Sequence, residues 1–502
     1  MYEKEKENKE MKIQISGNIG EYYVQTLCML FFPGVKFSKN ESVDSNLSAD
    51  VSVQSVDDTV FATVILTNER GTEKGTACEQ RKANAKVSAE QIACGKAFFE
   101  AGKKLTGLTP SWGILTGVRP AKLAISDLNN GKTKSEVRNA LTKEYLVTPK
   151  KASLVTEIAL VEKKLISRVK DTSCSLYISI PFCPSRCSYC SFVSFTSAKL
   201  LSLLDSYLER LCHDINETID TINELGLQIT TVYIGGGTPT TLNEKQLQIL
   251  LDAITARIDP ATLEEFTVEA GRPDTITYEK LHIIQAHGVT RVSINTQTLN
   301  DDVLELVGRK HTSADFYRAF EMARKADIKI INTDLIAGLP GEGFGSFSDT
   351  IDRIIELRPE NLTFHTLCIK NAADFAQQKD HMKSMHMFSE TSKCVDYSQL
   401  SAKNAGYIPY YIYRQKNTVN NLENVGFALP GTEGLYNVYM MEEIQTIFAV
   451  GAGAVSKMVS RDGKSIERIF EYKYPYEYLA DPNGMKNKEK REKSIHFYRN
   501  IW

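Results

Sequence analysis

The chain has 502 residues, enough for about three domains, or two large ones, and for at least one sizeable core. Lys plus Arg is 60 against Asp plus Glu at 62, a formal net charge of −2, so there is no electrostatic footprint for duplex nucleic acid or an anionic membrane. Hydrophobic residues at 42% suit a folded chain. There is no uncharged apolar run of about 18 residues, and the opening MYEKEKENKE lacks the apolar segment of a secretory signal, so no membrane span and a cytoplasmic location are expected.

The first dozen residues and the closing run KNKEKREK (486–493) read as solvated, mobile ends. From residue 12 to about 105, the runs ADVSVQSV and TVFATVILT followed by the helical stretch AEQIACGKAFFEAGKKL predict a small α/β domain. The turn-rich PSWGILTGVRPAKLA (110–124) opens a helical connector to about 168. Beyond 171, six short runs suit buried parallel strands: SLYISI (175–180), TTVYIGG (230–236), EFTVEA (265–270), VTRVSIN (289–295), IKIINTDLI (328–336) and NLTFHTL (361–367). Helical patterns separate them; Leu200, Leu201, Leu204, Tyr207, Leu208 and Leu211, for example, share one helix face. This rhythm predicts a (β/α) barrel or an open parallel sheet, with functional residues just past the strands' C-terminal ends.

Ten cysteines are too few for a disulfide scaffold. Seven are scattered and read as small buried hydrophobes. Cys183, Cys187 and Cys190 are clustered as C-x-x-x-C-x-x-C in the loop after the first barrel strand, where a short loop can turn three thiolates onto one soft metal site. A structural zinc or a four-cysteine [4Fe-4S] site needs one more ligand, and no second Cys or Cys/His pair follows at finger spacing. Three ligands on a cluster leave one iron open, which points to chemistry; zinc stays as the competing reading. Gly235-Gly236-Gly237-Thr238-Pro239 ends the second strand, where bare backbone lets carbonyls approach a ligand amine. A phosphate loop is the alternative, but no Gly-Lys-Ser/Thr follows.

The cysteine spacing resembles the radical S-adenosylmethionine (SAM) signature, and the glycine segment is similar to that superfamily's glycine motif. Further matches point to the oxygen-independent coproporphyrinogen III oxidase (dehydrogenase) family, in the variant with an extra N-terminal domain, over residues 110 to about 475. The resemblance implies a [4Fe-4S] cluster on Cys183, Cys187 and Cys190, with SAM bound by Gly235, Gly236, Gly237, Thr238, Glu269, Gln297, Arg309 and Asp334. Arg309 would meet the SAM carboxylate, Glu269, Gln297 and Asp334 would provide polar contacts, and the catalytic Tyr177 would lie against the sulfonium. The implied fold is α/β: a partial (β/α)6 barrel with a small N-terminal α/β domain and a C-terminal α+β extension. The expected divisions are 1–168 for the accessory domain and connector, 169–375 for the barrel, and 376–502 for a substrate and lid region over the barrel mouth.

The implied activity is radical oxidative decarboxylation. The reduced cluster gives an electron to SAM, and the 5′-deoxyadenosyl radical so formed takes a hydrogen from a propionate β-carbon. Loss of carbon dioxide and an electron leaves a vinyl group, and two rounds convert coproporphyrinogen III to protoporphyrinogen IX. Implied partners are a tetrapyrrole and an electron donor such as flavodoxin or ferredoxin. The relatives also include a heme-binding chaperone and radical SAM enzymes that methylate or open heme. Three positions depart from common family patterns. Phe192 replaces a fourth cysteine, and Ser179 replaces the histidine of Tyr-x-His-Ile-Pro-Phe-Cys. Tyr436-Asn437-Val438-Tyr439-Met440-Met441 stands where the chaperones carry His-Asn-x-x-Tyr-Trp, and the loss of that histidine puts the oxidase first. Arg414 and Lys416, in YRQKN, are expected to contact substrate carboxylates.

Overall fold

The computed structural model describes residues 10–37, 46–83, 85–117, 119–190, 192, 194–368, 385–416, 418–481 and 484–502. The chain divides into two compact units, Met1–Leu160 with Ile412–Glu423, and Val161–Tyr411 with Asn424–Trp502. The first unit thus draws in a short late segment, a feature that the linear division at 168 did not anticipate. The division expected at 375/376 lies outside the described residues.

In the first unit, strands β1 (Glu10–Gly17), β2 (Lys36–Phe37), β3 (Ser48–Val56), β4 (Thr59–Asn68) and β5 (Gly71–Gln80) form one sheet in the order β2-β1-β3-β4-β5. Helices α1 (Glu21–Phe31) and α2 (Ala89–Thr106) pack on it. The period-2 pattern of β3 and β4 buries Ala49, Val51, Val53, Val60, Ala62, Val64 and Leu66 against Leu27, Phe31, Ala97 and Phe98. Ser88 and Gln91 close a capping box at the start of α2. Met11 is fully buried in β1, so residues 10–12 are not a solvated end; residues 1–9 lie outside the described residues. Helices α3 (Ala121–Asn129), α4 (Lys134–Lys143) and α5 (Pro149–Ile166) follow, the last of them running across residue 160, where the first unit's main segment ends.

In the second unit, all six expected strands form: β6 (Ser173–Ile180), β7 (Gln228–Gly236), β8 (Glu265–Glu269), β9 (Arg291–Ser293), β10 (Ile330–Ala337) and β11 (Asn361–Thr366). They are neighbours in that order and parallel throughout. Helices α6 (Leu204–Glu224), α7 (Glu244–Thr255), α8 (Tyr278–Ala286), α9 (Ser313–Lys325) and α10 (Phe344–Leu357) supply the crossovers, giving the partial (β/α)6 barrel. The strands are not uniformly apolar. Leu176, Ile178, Val232, Ile234, Leu335 and Leu362 alternate with Ser175, Tyr177, Thr231, Tyr233, Asp334 and Asn361, so one face is core and the other carries polar and aromatic groups.

Helix α11 (Met385–Asn404) leads to β12 (Ile408–Arg414), and the C-terminal strands then flank the barrel on both sides. β13 (Glu423–Ala428) pairs antiparallel with β11, β14 (Thr446–Val450) pairs parallel with β6, and β15 (Val455–Val459) and β16 (Ile466–Phe470) extend that edge. Between them lies helix α12 (Leu435–Glu442). The Leu435 and Tyr436 N–H groups donate to the Glu265 carboxylate at 2.8 and 3.2 Å, while Arg291 donates to the carbonyls of Thr432 and Glu433. Glu265 and Arg291 are the first residues of β8 and β9, so this stretch closes the starting end of the barrel, not its mouth. That corrects the lid expectation for these residues; residues 369–384, which follow β11, are outside the described set. The last helix, α13 (Met485–Asn500), corrects a second expectation: the KNKEKREK run is helical, with Asn487, Lys490, Ser494 and Phe497 buried.

Candidate functional site

The three clustered cysteines sit where β6 ends. The Cys183 N–H donates to the Phe195 carbonyl at 3.1 Å and the Phe195 N–H to the Pro181 carbonyl at 2.9 Å, so the loop root is a pinned ribbon. Cys183 and Cys187 are buried and Cys190 is half-buried. Burial pushes the Cys183 thiol up to about 11; the Thr238 hydroxyl, 3.3 Å from its Sγ, works against this, while charge on Cys190 and Cys187 adds to it. Three mutually repelling thiolates in a buried loop need a cation to hold them, and a thiophilic iron cluster meets that need. The donor set fits the group.

The glycine segment owes its composition first to packing against this loop. A Cβ on Gly237 would fall 2.6 Å from the Phe182 carbonyl oxygen, and Gly236 has φ +111°. With no side chains in the way, the Gly237 N–H reaches the Ile180 carbonyl and the Thr238 N–H reaches Phe182, each at 2.8 Å. The exit of β7 therefore lies directly on the root of the cysteine loop.

Tyr177 and Tyr233, within β6 and β7, stack with Tyr436 of α12, with ring centroids 6.1 Å apart for Tyr177–Tyr233 and 4.4 Å for Tyr233–Tyr436. The Tyr233 hydroxyl donates to Glu269. Burial, then the Asp334 charge, pushes the Glu269 carboxyl up to about 7, against the pull of Tyr233 and the Gly236 N–H. A carboxyl whose pKa rises on folding binds more protons folded than unfolded from about pH 4.5 to about 7, so its contribution is present below that window and lost as pH rises through it. Glu269→Gln is expected to unfold at higher urea than the parent at pH 8 and at nearly the same urea at pH 5. An equal gap at both pH values would contradict this.

Asp334 accepts from Asn295 Nδ2 at 2.9 Å and Asn332 Nδ2 at 2.8 Å, and His365 Nε2 lies 3.7 Å away. Burial alone would raise its pKa, but His365 and the neighbouring hydrogen bonds hold it below the usual range. Gln297 adopts a left-handed φ of 74°, held by its N–H to the Asp334 carbonyl and by the Ile336 N–H donating to its own carbonyl. Its buried Oε1 accepts no hydrogen bond from the described residues. The backbone strain costs about 1–3 kcal/mol and the orphan acceptor about 1–3 kcal/mol more. A hydroxyl donated by a bound ligand offsets the second cost, which suits a ribose.

Arg309 stands beside the cysteine loop. It is buried, and its guanidinium donates to the Tyr189 hydroxyl at 2.9 Å, to the carbonyls of Gly271 and Asn295, and to His311. In this arrangement it ties the cysteine loop to the ends of β8 and β9. Arg414 and Lys416 are not among the barrel's residues; both belong to the first unit. Arg414 is buried there, donating to the Leu115, Gly117 and Asn421 carbonyls beneath the Trp112 ring, and burial lowers its pKa to about 10. Lys416 lies over the Tyr22 ring at 4.2 Å. The reading of Arg414 as a carboxylate contact is therefore corrected: its terminal nitrogens hold backbone.

Sequence reasoning left Tyr233, Asn295, His365, Tyr189 and Arg272 unassigned. For Asn295 and His365 the signal lay in the period-2 alternation, which puts each at the last inward position of its strand or just past it, and for Tyr233 in the same alternation, which puts it on the face of β7 that Gly235 shares.

Residues 177–354 match the Radical SAM superfamily model. The oxygen-independent coproporphyrinogen-III oxidase-like protein HemZ of Bacillus subtilis is 39% identical over 379 residues, covering 74% of this chain and 75% of its own. The heme chaperone HemW of Bacillus subtilis is 34% identical, covering 56% of this chain and 70% of its own. Among solved structures, coproporphyrinogen III oxidase (HemN) from Escherichia coli shares the fold, with a TM-score of 0.51 at 23% identity over 66% of this chain and 73% of that one. No described helix is long and apolar enough to cross a membrane. The chain belongs to the oxygen-independent coproporphyrinogen-III oxidase-like family of the Radical SAM superfamily, whose cofactors are a [4Fe-4S] cluster and S-adenosylmethionine.

Proposed function

We propose that this protein is a coproporphyrinogen dehydrogenase that decarboxylates coproporphyrinogen III propionates to vinyl groups without dioxygen, giving protoporphyrinogen IX. In this reading Cys183, Cys187 and Cys190 hold the cluster. Tyr177, the Gly235–Thr238 segment, Glu269, Gln297 and Asp334 line the SAM site, and Arg309 braces it. The bound cofactors supply a carbon-centred radical able to take hydrogen from an unactivated carbon, which no side chain can do. The chain's own part is to position and to exclude water: Tyr233 fixes Glu269, and Asn295 and Asn332 fix Asp334. Electrons come from a small carrier such as flavodoxin or ferredoxin.

The observation that carries the oxidase reading over heme binding is Tyr436. It stands at the position of the chaperone histidine, yet it is buried and stacked on Tyr233 at 4.4 Å. A side chain packed in this way presents no open ligand to a heme iron. The test is anaerobic. The reconstituted protein receives SAM, a reductant and coproporphyrinogen III, and products are read by mass spectrometry. Protoporphyrinogen with matching 5′-deoxyadenosine is expected; SAM cleavage without decarboxylation, or tight heme binding without product, would overturn the assignment.

A further inference from the structure

Arg272 follows the end of β8 and has no role in the reading above. It is 3% exposed. Its Nε and one terminal nitrogen donate to the two oxygens of Asp274, each at 3.0 Å. The other terminal nitrogen donates to the Ser185 carbonyl at 3.2 Å and reaches the Cys187 Sγ at 3.7 Å. Asp274 thus fixes the guanidinium in one orientation, with an N–H aimed at a single sulfur of the cysteine loop. Arg309, bonded to Tyr189 of the same loop, lies close by, and His311 between these groups is kept neutral by burial and the arginine charge.

We infer that Arg272 tunes the reduction potential of the cluster held by Cys183, Cys187 and Cys190, through its hydrogen bond and charge at Cys187. The inference rests on the proposed reading that these cysteines hold the cluster. Reduction adds one electron, and so one negative charge, to a site in a low-dielectric surrounding. A fixed cation hydrogen-bonded to a ligating sulfur favours the more negative, reduced state and raises the potential. Its carboxylate partner opposes that field, so removing each member of the pair shifts the potential in opposite directions. Arg272 is a positioning and tuning residue; it touches a ligand atom, not substrate.

The test uses the full chain with its cluster reconstituted anaerobically, without SAM, in a redox titration followed by electron paramagnetic resonance. Arg272→Gln is expected to lower the reduced-to-oxidised ratio at a fixed potential by about tenfold, equivalent to about 59 mV for one electron. Arg272→Lys is expected to restore part of that shift, and Asp274→Asn to move the ratio the other way. Iron content and unfolding midpoints of the apo proteins show that each variant folds and loads. Loaded variants that titrate with the parent, or Arg272→Gln and Asp274→Asn moving in the same direction, would overturn the inference. A parent chain that takes up no cluster would overturn the reading of the cysteines instead, and the inference with it.

Discussion

Cys187→Ala is expected to abolish cluster loading and to cut SAM cleavage by at least about a thousandfold, equal to about 4 kcal/mol of barrier. The expectation follows from the donor count: three thiols on one eight-residue loop leave no spare protein ligand if one is removed. Cys187 also sits at the centre of the loop's polar bracing, close to Arg272. Iron and sulfide analysis with SAM turnover is the measurement. Cys174→Ala is the contrast, because that thiol lies fully buried in β6; it should lose packing but keep iron. A Cys187→Ala protein that keeps its iron and cleaves SAM would remove the cysteine loop from the site.

The second large effect lies in the C-terminal helix. Lys490 Nζ is 2.8 Å from Glu471 Oε1, with side-chain exposures of 5% and 3%, and it also donates to the Ala449 carbonyl in β14. Removing one partner of a buried pair strands the other's charge, at about 3–5 kcal/mol. Lys490→Met is therefore expected to destabilise the protein by about that much in chemical unfolding, and Lys490→Met with Glu471→Leu to recover most of the loss. Near-zero effects in the single variant would show that the pair is not buried in solution.

The barrel was legible because each of its strands buries one apolar face, and runs such as SLYISI and NLTFHTL carry that pattern without help from the rest of the chain. The cysteine loop was legible because three thiols in eight residues are chemistry on any fold. The polar β5 was not: in GTEKGTACEQ only Gly75 is buried, as suits a sheet edge. The helix over KNKEKREK was hidden because its buried positions include lysine and asparagine, which need partners near residues 217 and 471 that no local pattern reveals. Arg414 failed for the same reason: a cation beside aromatics looks the same in sequence whether it waits for a ligand or holds three carbonyls.

The closure of the barrel's starting end has a consequence for the order in which the molecule is made. Glu265 waits on backbone N–H groups 170 and 171 residues downstream, and Tyr177 and Tyr233 wait on the ring of Tyr436. During synthesis the six parallel strands and the cysteine loop emerge well before the segment that gives the tyrosine stack its third ring. Contacts of such long sequence separation form late because loop closure must precede them. The aromatic layer beside Glu269 is therefore finished only after residue 436 has been made, and a ribosome-bound fragment ending before residue 434 lacks the third ring of that layer.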